Sequence, residues 1–143
     1  MVVGSLKTPQ PTTAMQWTRF GREGGWGVLA TGAENGSISL WDVQGIIEKS
    51  PKAILFSKTV HEKTPVMCME FNEKNPSLLA SGGRSLRLQD LNANLKTGEG
   101  IFKPGTSENI NAGFISALSW HPSIDGLIAS ADTLGNVVVW NLK

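Results

Sequence analysis

The chain has 143 residues, 40% hydrophobic and 17% charged, with a formal net charge of +1. This composition predicts one globular domain and excludes the basic surplus typical of proteins that bind nucleic acid. One cysteine, Cys68, excludes an internal disulfide. An N-terminus without signal-peptide features and the lack of a run of roughly 20 apolar residues predict a soluble, cytosolic protein.

One pattern of short strands occurs three times along the chain. Its anchors Leu29, Leu79 and Ile128 lie at intervals of 50 and 49 residues, and the first copy ends on Trp41-Asp42. A period near fifty with a Trp-Asp close is typical of β-propeller blades. We therefore predict an all-β fold, a WD-repeat β-propeller fragment with three four-stranded blades, of which the last lacks its outer strand.

The predicted elements begin after an N-terminal extension at 1–13. The first blade, at about 14–60, has strands at 14–17, 28–31 and 38–41 and an outer strand at 53–59. Ile46-Ile47 predicts a short turn or helix rather than a strand, and Asn35-Gly36 favours the positive φ of a tight hairpin turn.

The second and third blades follow at about 61–110 and 111–143. The middle strands of all three blades, at 28–31, 78–81 and 127–130, are almost wholly apolar, which predicts burial on both faces. The second copy has a shortened hairpin, and Ile101-Phe102 is a thin candidate for its outer strand. The three blades are expected to be part of a larger propeller.

In WD-repeat blades, a histidine, a hydroxyl residue and a tryptophan form a buried hydrogen-bond chain that an acid completes. The chain's copies of this set are incomplete: Gln89 replaces the second tryptophan, only the second repeat has the histidine, and Asn141 replaces the third aspartate. We expect the blades to depend mainly on apolar packing, and His61 to be structural rather than a ligand. The predicted structural blade residues are Trp41, Asp42, His61, Ser81, Asp90, Ser130 and Trp140.

No motif in the sequence carries catalytic chemistry. The glycine pairs lack the spacing and the lysine of a phosphate-binding loop, and two histidines with one cysteine form no recognised metal-site spacing. Cys68, inside a strand, is expected to be an inert buried thiol. We predict that the protein is not an enzyme and has no catalytic residue, cofactor or metal.

Two connecting segments are candidate contact regions. The first, 19–26, carries Phe20 and Trp26, which could anchor a partner; packing of Trp26 at a blade edge is the alternative. The second, 92–113, is long and polar.

The amino-acid sequence of the repeats resembles that of the larger WD-repeat subunit of the COPII outer coat. The resemblance lies in ENGSISLWD at 34–42, in NPSLLASGG at 75–83, and in PGTS at 104–107 followed by ISALSW at 115–120. It covers about 14–143 and resembles three consecutive blades of that subunit's N-terminal propeller. Gln89, the shortened hairpin and the enlarged loop at 20–26 depart from the family's pattern.

The resemblance implies a non-enzymatic scaffold of the coat that carries cargo from the endoplasmic reticulum to the Golgi. The implied partners are other coat subunits, especially a smaller WD-repeat protein, with no nucleic acid. The implied location is cytoplasmic, at endoplasmic reticulum exit sites and COPII vesicles, with membrane contact through partners only. The alternative is a generic WD-repeat adaptor, such as a ubiquitin-ligase receptor or a chromatin platform.

An arc of three blades has two end blades, each with one apolar face that no neighbour covers, and an unpaired outer edge. Uncovered strand edges and apolar faces of this kind associate with other chains. We therefore expect the isolated chain to self-associate.

Overall fold

The computed structural model describes residues 1–18, 25–92, 101–102 and 113–142. Within them lie eleven strands in three antiparallel sheets and one short helix. The elements are β1 (Thr12–Thr18), β2 (Val28–Ala33), β3 (Ser37–Asp42), α1 (Val43–Ile47), β4 (Ile54–Thr59), β5 (Cys68–Phe71), β6 (Leu78–Gly82), β7 (Leu86–Asp90), β8 (Ile101–Phe102), β9 (Ile115–Trp120), β10 (Leu127–Asp132) and β11 (Val137–Asn141).

Each sheet is a simple meander in chain order. The strand orders are β1-β2-β3-β4 in the first blade, β5-β6-β7-β8 in the second and β9-β10-β11 in the third. The predicted all-β fold with three propeller blades, the last one incomplete, is therefore confirmed. β1 begins at Thr12, so its first two residues lie inside the segment predicted as an extension.

The smaller elements agree with the predictions for them. The Ile46-Ile47 pair lies in α1, and the outer strand of the first blade is β4. The outer strand of the second blade is the short β8, whose two residues pair with Leu88 and Gln89.

The hairpin of the second blade is shorter than that of the first. Gly82 pairs directly with Leu86 across the turn, whereas the equivalent Gly32 pairs with Ile38. The strands of the two blades otherwise keep the same register. The shortening therefore affects only the turn at the rim of the second blade.

The blades pack side by side through two apolar clusters. The first cluster joins the first two blades and comprises Val28, Ala30, Ile38, Leu40, Val60, Val66, Met69, Phe71, Leu79 and Leu91. The second joins the second and third blades and comprises Ala80, Leu86, Leu88, Ile115, Trp120 and Ile128. Fully burying one such side chain stabilises a fold by roughly 1.5–3 kcal/mol, so apolar contacts between blades dominate the packing.

Every residue of the three middle strands is buried or half-buried, as predicted for strands inside a stack of blades. Burial is most complete in β6, where four of the five residues are buried and whose blade packs against a neighbour on both sides. β10 alternates between buried and half-buried positions, because no blade covers its second face.

Candidate interaction surfaces

The structure brings the predicted blade residues together in pairs. In the first blade Trp41 Nε1 donates to Thr31 Oγ1 at 2.9 Å, and in the third blade Trp140 Nε1 donates to Ser130 Oγ at 2.8 Å. Each bond joins the middle strand to the strand after it. The indole therefore connects two adjacent strands of the same sheet by a side-chain hydrogen bond.

The second blade has a different polar arrangement. His61 Nε2 and Ser81 Oγ lie 2.8 Å apart in a buried hydrogen bond. Gln89, at the position of the missing tryptophan, is fully buried, and in the part of the chain that the structure describes neither its Oε1 nor its Nε2 has a hydrogen-bond partner. The blade therefore keeps the histidine–serine bond and lacks the bond from the third strand.

The two acids predicted to complete these sets lie at strand ends. Asp90 Oδ1 accepts a bond from the backbone N–H of Asn92 at 3.0 Å, which holds the chain as it leaves β7. Asp42 occupies the position before α1, and its side chain makes no capping bond to that helix.

His61 is buried, whereas Cys68, expected to be buried, is half-buried, and both side chains have displaced pKa values. Burial first, and the positive charge of Arg87 second, lower the pKa of His61 from 6.5 to about 4, so the imidazole is neutral at physiological pH. Burial raises the pKa of the Cys68 thiol to about 11. Such a thiol carries almost no thiolate near neutral pH, which agrees with an inert role.

Asp132 was missed as a structural residue by the sequence reasoning. Its carboxylate accepts bonds from the backbone N–H groups of Gly113, Leu134 and Asn136 and from Asn136 Nδ2. Burial alone would raise its pKa, but these bonds outweigh burial and hold the pKa well below its usual range. An aspartate that opens a Gly-Asn turn is an available signal for this arrangement.

Hydrogen bonds as well as apolar contacts join neighbouring blades. The backbone N–H of Val66 donates to Ala33 O at 3.1 Å, and that of Ile115 donates to Gly83 O at 2.7 Å. Trp120 Nε1 also donates to the backbone oxygen of Glu70 at 3.1 Å. The same joint therefore occurs at both boundaries between blades.

The first end face lies on the first blade. Met15 and Trp17 occupy the positions of Met69 and Phe71, as their pairing with the middle strands shows. Met69 and Phe71 are buried against a preceding blade, whereas Met15 is 57% exposed and Trp17 56%. The end face of the first blade therefore has the composition of a blade contact.

The second end face lies on the third blade. Val137 and Val139 occupy the positions of Ile38 and Leu40, which are fully buried between the first two blades. In the third blade Val137 is 73% exposed and Val139 63%. The two end faces thus carry the two complementary halves of the apolar contact that is formed between the first two blades.

Trp26 is one of the two residues predicted as partner contacts. Its side chain is 53% exposed, and its backbone oxygen accepts a 2.8 Å bond from Trp17 Nε1. The indole of Trp26 is accessible beside the first end face. Phe20, the second predicted contact, lies outside the described residues.

The described residues contain no group of three or more His, Cys, Asp or Glu side chains that could hold a metal ion. Within the same residues, no helix is long and apolar enough to cross a membrane.

The chain is similar in sequence to protein transport proteins over most of its length. It is 29% identical over 143 residues to "Protein transport protein sec31" of Emericella nidulans, covering 99% of this chain and 11% of that protein. It is 31% identical over 119 residues to the protein of the same name from Aspergillus terreus and 28% identical over 125 residues to that of Dictyostelium discoideum, each match covering 82% of this chain and 9% of the relative. The chain therefore spans about a tenth of the length of these curated relatives. No protein-family model matches it.

Solved structures with the same fold are propellers. A chain from "COPII on membranes, outer coat vertex" matches with a TM-score of 0.79 at 21% identity, covering 98% of this chain and 35% of that one. The propeller domain of Cps50 (Swd1) from Myceliophteria thermophila matches with a TM-score of 0.69 at 15% identity, covering 96% and 36%. Together the sequence and structure matches confirm the resemblance to the larger WD-repeat subunit of the COPII outer coat.

Proposed function

We propose that this chain forms three consecutive blades of a SEC31-type propeller and acts as a non-enzymatic scaffold in a COPII outer coat, within the transport of cargo from the endoplasmic reticulum to the Golgi. The observation that carries this proposal is the sequence match to "Protein transport protein sec31" across 99% of the chain, which spans all three blades. Because the relatives are about ten times longer, the activity and partners of a whole protein are part of the proposal.

The proposed boundaries are an extension at 1–13 followed by blades at about 14–60, 61–110 and 111–143, within a larger propeller. The two end faces support this placement. At the covered boundary Ile38 and Leu40 pack against Met69 and Phe71. Val139 on one end face corresponds to Leu40, and Trp17 on the other corresponds to Phe71. Both side chains are exposed, so each end face is suited to packing against one more blade.

The proposed partners are other coat subunits, especially a smaller WD-repeat protein. Membrane contact is through those partners, and the location is the cytoplasmic face of endoplasmic reticulum exit sites and COPII vesicles. Trp26 is proposed as a partner contact because its indole is exposed on a segment that joins two strands. Large exposed aromatic side chains often anchor a protein interface.

Alone, the three-blade chain is proposed to self-associate through its two end faces. The end face with Val137 and Val139 of one copy would pack against the end face with Met15 and Trp17 of another, reproducing the contact between the first two blades. Light scattering during gel filtration should therefore report a mass above the 15.3 kDa of a single chain. Val139→Glu should shift the population to monomer, whereas Lys52→Glu, on an exposed residue between α1 and β4, should not.

The coat assignment is tested in cells with the full-length protein that contains this sequence. A fluorescently tagged copy should concentrate at endoplasmic reticulum exit sites, and purification should recover a smaller WD-repeat protein. A nuclear distribution, or recovery of a ubiquitin ligase in place of coat subunits, would overturn the assignment in favour of the adaptor class.

A further inference from the structure

A cavity of about 460 Å³ lies at the rim where the first blade meets the second. Its walls come from the end of β4 and the following segment on one side, and from the shortened hairpin on the other. The residues that matter here are Thr59, Glu62, Thr64, Arg84, Ser85 and Arg87. The cavity is polar and is distinct from both apolar end faces.

The charged groups of the cavity leave it with one net positive charge. Arg84 and Arg87 each contribute one positive charge, and Glu62 contributes one negative charge. His61 also lines the cavity, but it is held neutral by burial. Arg84 lies over the ring of Phe114, with 5.9 Å between its guanidinium carbon and the ring centroid, a contact that limits where its head group can move.

Arg87 carries an unmet hydrogen-bond donor. Its Nε is buried and has no hydrogen-bond partner among the described residues. A buried charged donor without an acceptor is costly, so such groups normally lie where an acceptor is available. Because Nε itself has almost no accessible surface, a ligand in the cavity would meet the rest of the guanidinium, whose planar fork is complementary to the two oxygens of a carboxylate.

The arrangement is specific to the second blade among the three. Arg87 pairs with Ser81 across β6 and β7, and the equivalent positions in the other blades are Ser39 and Val138. Ser39 bonds to Ser57 at 2.9 Å, and valine has no polar group. The rim arginines and the shortened hairpin thus occur together in one blade, so the cavity is not a general property of the fold.

We propose that this cavity recognises a carboxylate side chain on an acidic segment of a partner protein. Arg87 and Arg84 bind the two oxygens, and the hydroxyls of Thr59 and Ser85 are available for further bonds. A singly charged carboxylate matches the single net positive charge, whereas a doubly charged phosphate would be left with an uncompensated charge near Glu62. This inference rests on the cavity and does not depend on the coat assignment.

The test measures binding of a fluorescein-labelled peptide of alternating Glu and Ser to the chain by fluorescence anisotropy. Arg87→Met removes the charge and keeps the aliphatic stem, and it should weaken binding by roughly tenfold, the scale of one charge-assisted contact. Glu62→Gln should strengthen binding a few-fold. Lys52→Met, which removes a positive charge from an exposed position elsewhere, should change binding by less than about twofold.

A second variant covers the case in which Arg87→Met does not fold, and competition by small anions distinguishes a carboxylate from a phosphoryl group. Arg84→Gln lies on the exposed turn of the hairpin, so it should fold even where Arg87→Met does not, and it too should weaken binding. Equal binding by Arg84→Gln, Glu62→Gln and the unmodified chain would overturn the proposal. Inorganic phosphate and acetate are compared as competitors of the labelled peptide. If phosphate displaced the peptide at a tenth of the acetate concentration required, the proposal would be overturned in favour of a phosphoryl group.

Discussion

Replacing Gln89 by methionine should stabilise the isolated chain. The carboxamide of Gln89 is fully buried in β7 with both polar atoms unpartnered among the described residues, whereas the equivalent Trp41 and Trp140 each donate to a hydroxyl within 2.9 Å. Leaving a buried polar group without a partner costs about 1–3 kcal/mol. Methionine has a similar length, adapts to irregular space and carries no amide.

We therefore expect Gln89→Met to raise the free energy of unfolding by about 1–2 kcal/mol. For a domain of this size such a gain corresponds to a rise in Tm of roughly 3–6 °C. The measurement is urea unfolding followed by tryptophan fluorescence at one fixed protein concentration. The slope of the unfolding free energy against urea should stay unchanged while the midpoint rises.

The matched control is Gln16→Met, the same substitution at an exposed position on β1. It should change the free energy of unfolding by no more than about 0.5 kcal/mol. A loss of 1 kcal/mol or more in Gln89→Met, with the control neutral, would refute the reasoning. It would mean that the amide of Gln89 makes hydrogen bonds in solution whose loss outweighs the gain from removing a polar group.

Three further predictions concern other parts of the blades. Gly36→Ala should destabilise far more than Gly135→Ala, although both glycines have positive φ, +86° and +89°. A Cβ on Gly36 would lie 1.5 Å from His61 O, whereas one on Gly135 meets nothing within 4 Å. Thermal unfolding should show a loss of about 1–2 kcal/mol for Gly135→Ala and unfolding or a much larger loss for Gly36→Ala. The unfolded chain takes up a proton on His61 near pH 6.5 and the folded chain only near pH 4. Stability should therefore fall as the pH drops through this window, by up to about 3 kcal/mol, and His61→Gln should remove that part of the pH dependence in urea titrations. The Cys68 thiol should react with a disulfide reagent at pH 8 far more slowly in the folded chain than in urea; equal rates would contradict its raised pKa.

Strand order and blade count were predictable because each blade repeats one short pattern. The anchors Leu29, Leu79 and Ile128 occupy the same register position in β2, β6 and β10, so the period of the sequence maps directly onto the sheets. The tight hairpin of the second blade was predictable for the same reason, since a deletion between two aligned anchors has to shorten the turn.

The rim cavity and the less complete burial of β10 compared with β6 could not be predicted in the same way. Both depend on which blade faces are covered, and a pattern that repeats within each blade is the same for covered and uncovered faces. Arg87 alternates with Leu86 and Leu88 like any outward polar residue. Arg87 lines a cavity only because β4 and the segment after it lie close to the second blade.

The second blade combines the chain's strongest departures from the repeat. It has Gln89 in place of tryptophan, the shortened hairpin and the rim arginines. It is also the blade that packs against a neighbour on both sides, through the two apolar clusters. Because apolar burial on two faces supplies most of its stabilisation, this blade tolerates the loss of the tryptophan bond and the presence of an unpartnered amide. The end blades each have one covered face and retain the tryptophan–hydroxyl bond. Along the arc, the blade with apolar contacts on both faces lacks the tryptophan–hydroxyl bond, and the blades with one covered face retain it. The blade with both faces covered is also the one whose rim carries the arginines proposed to bind a carboxylate.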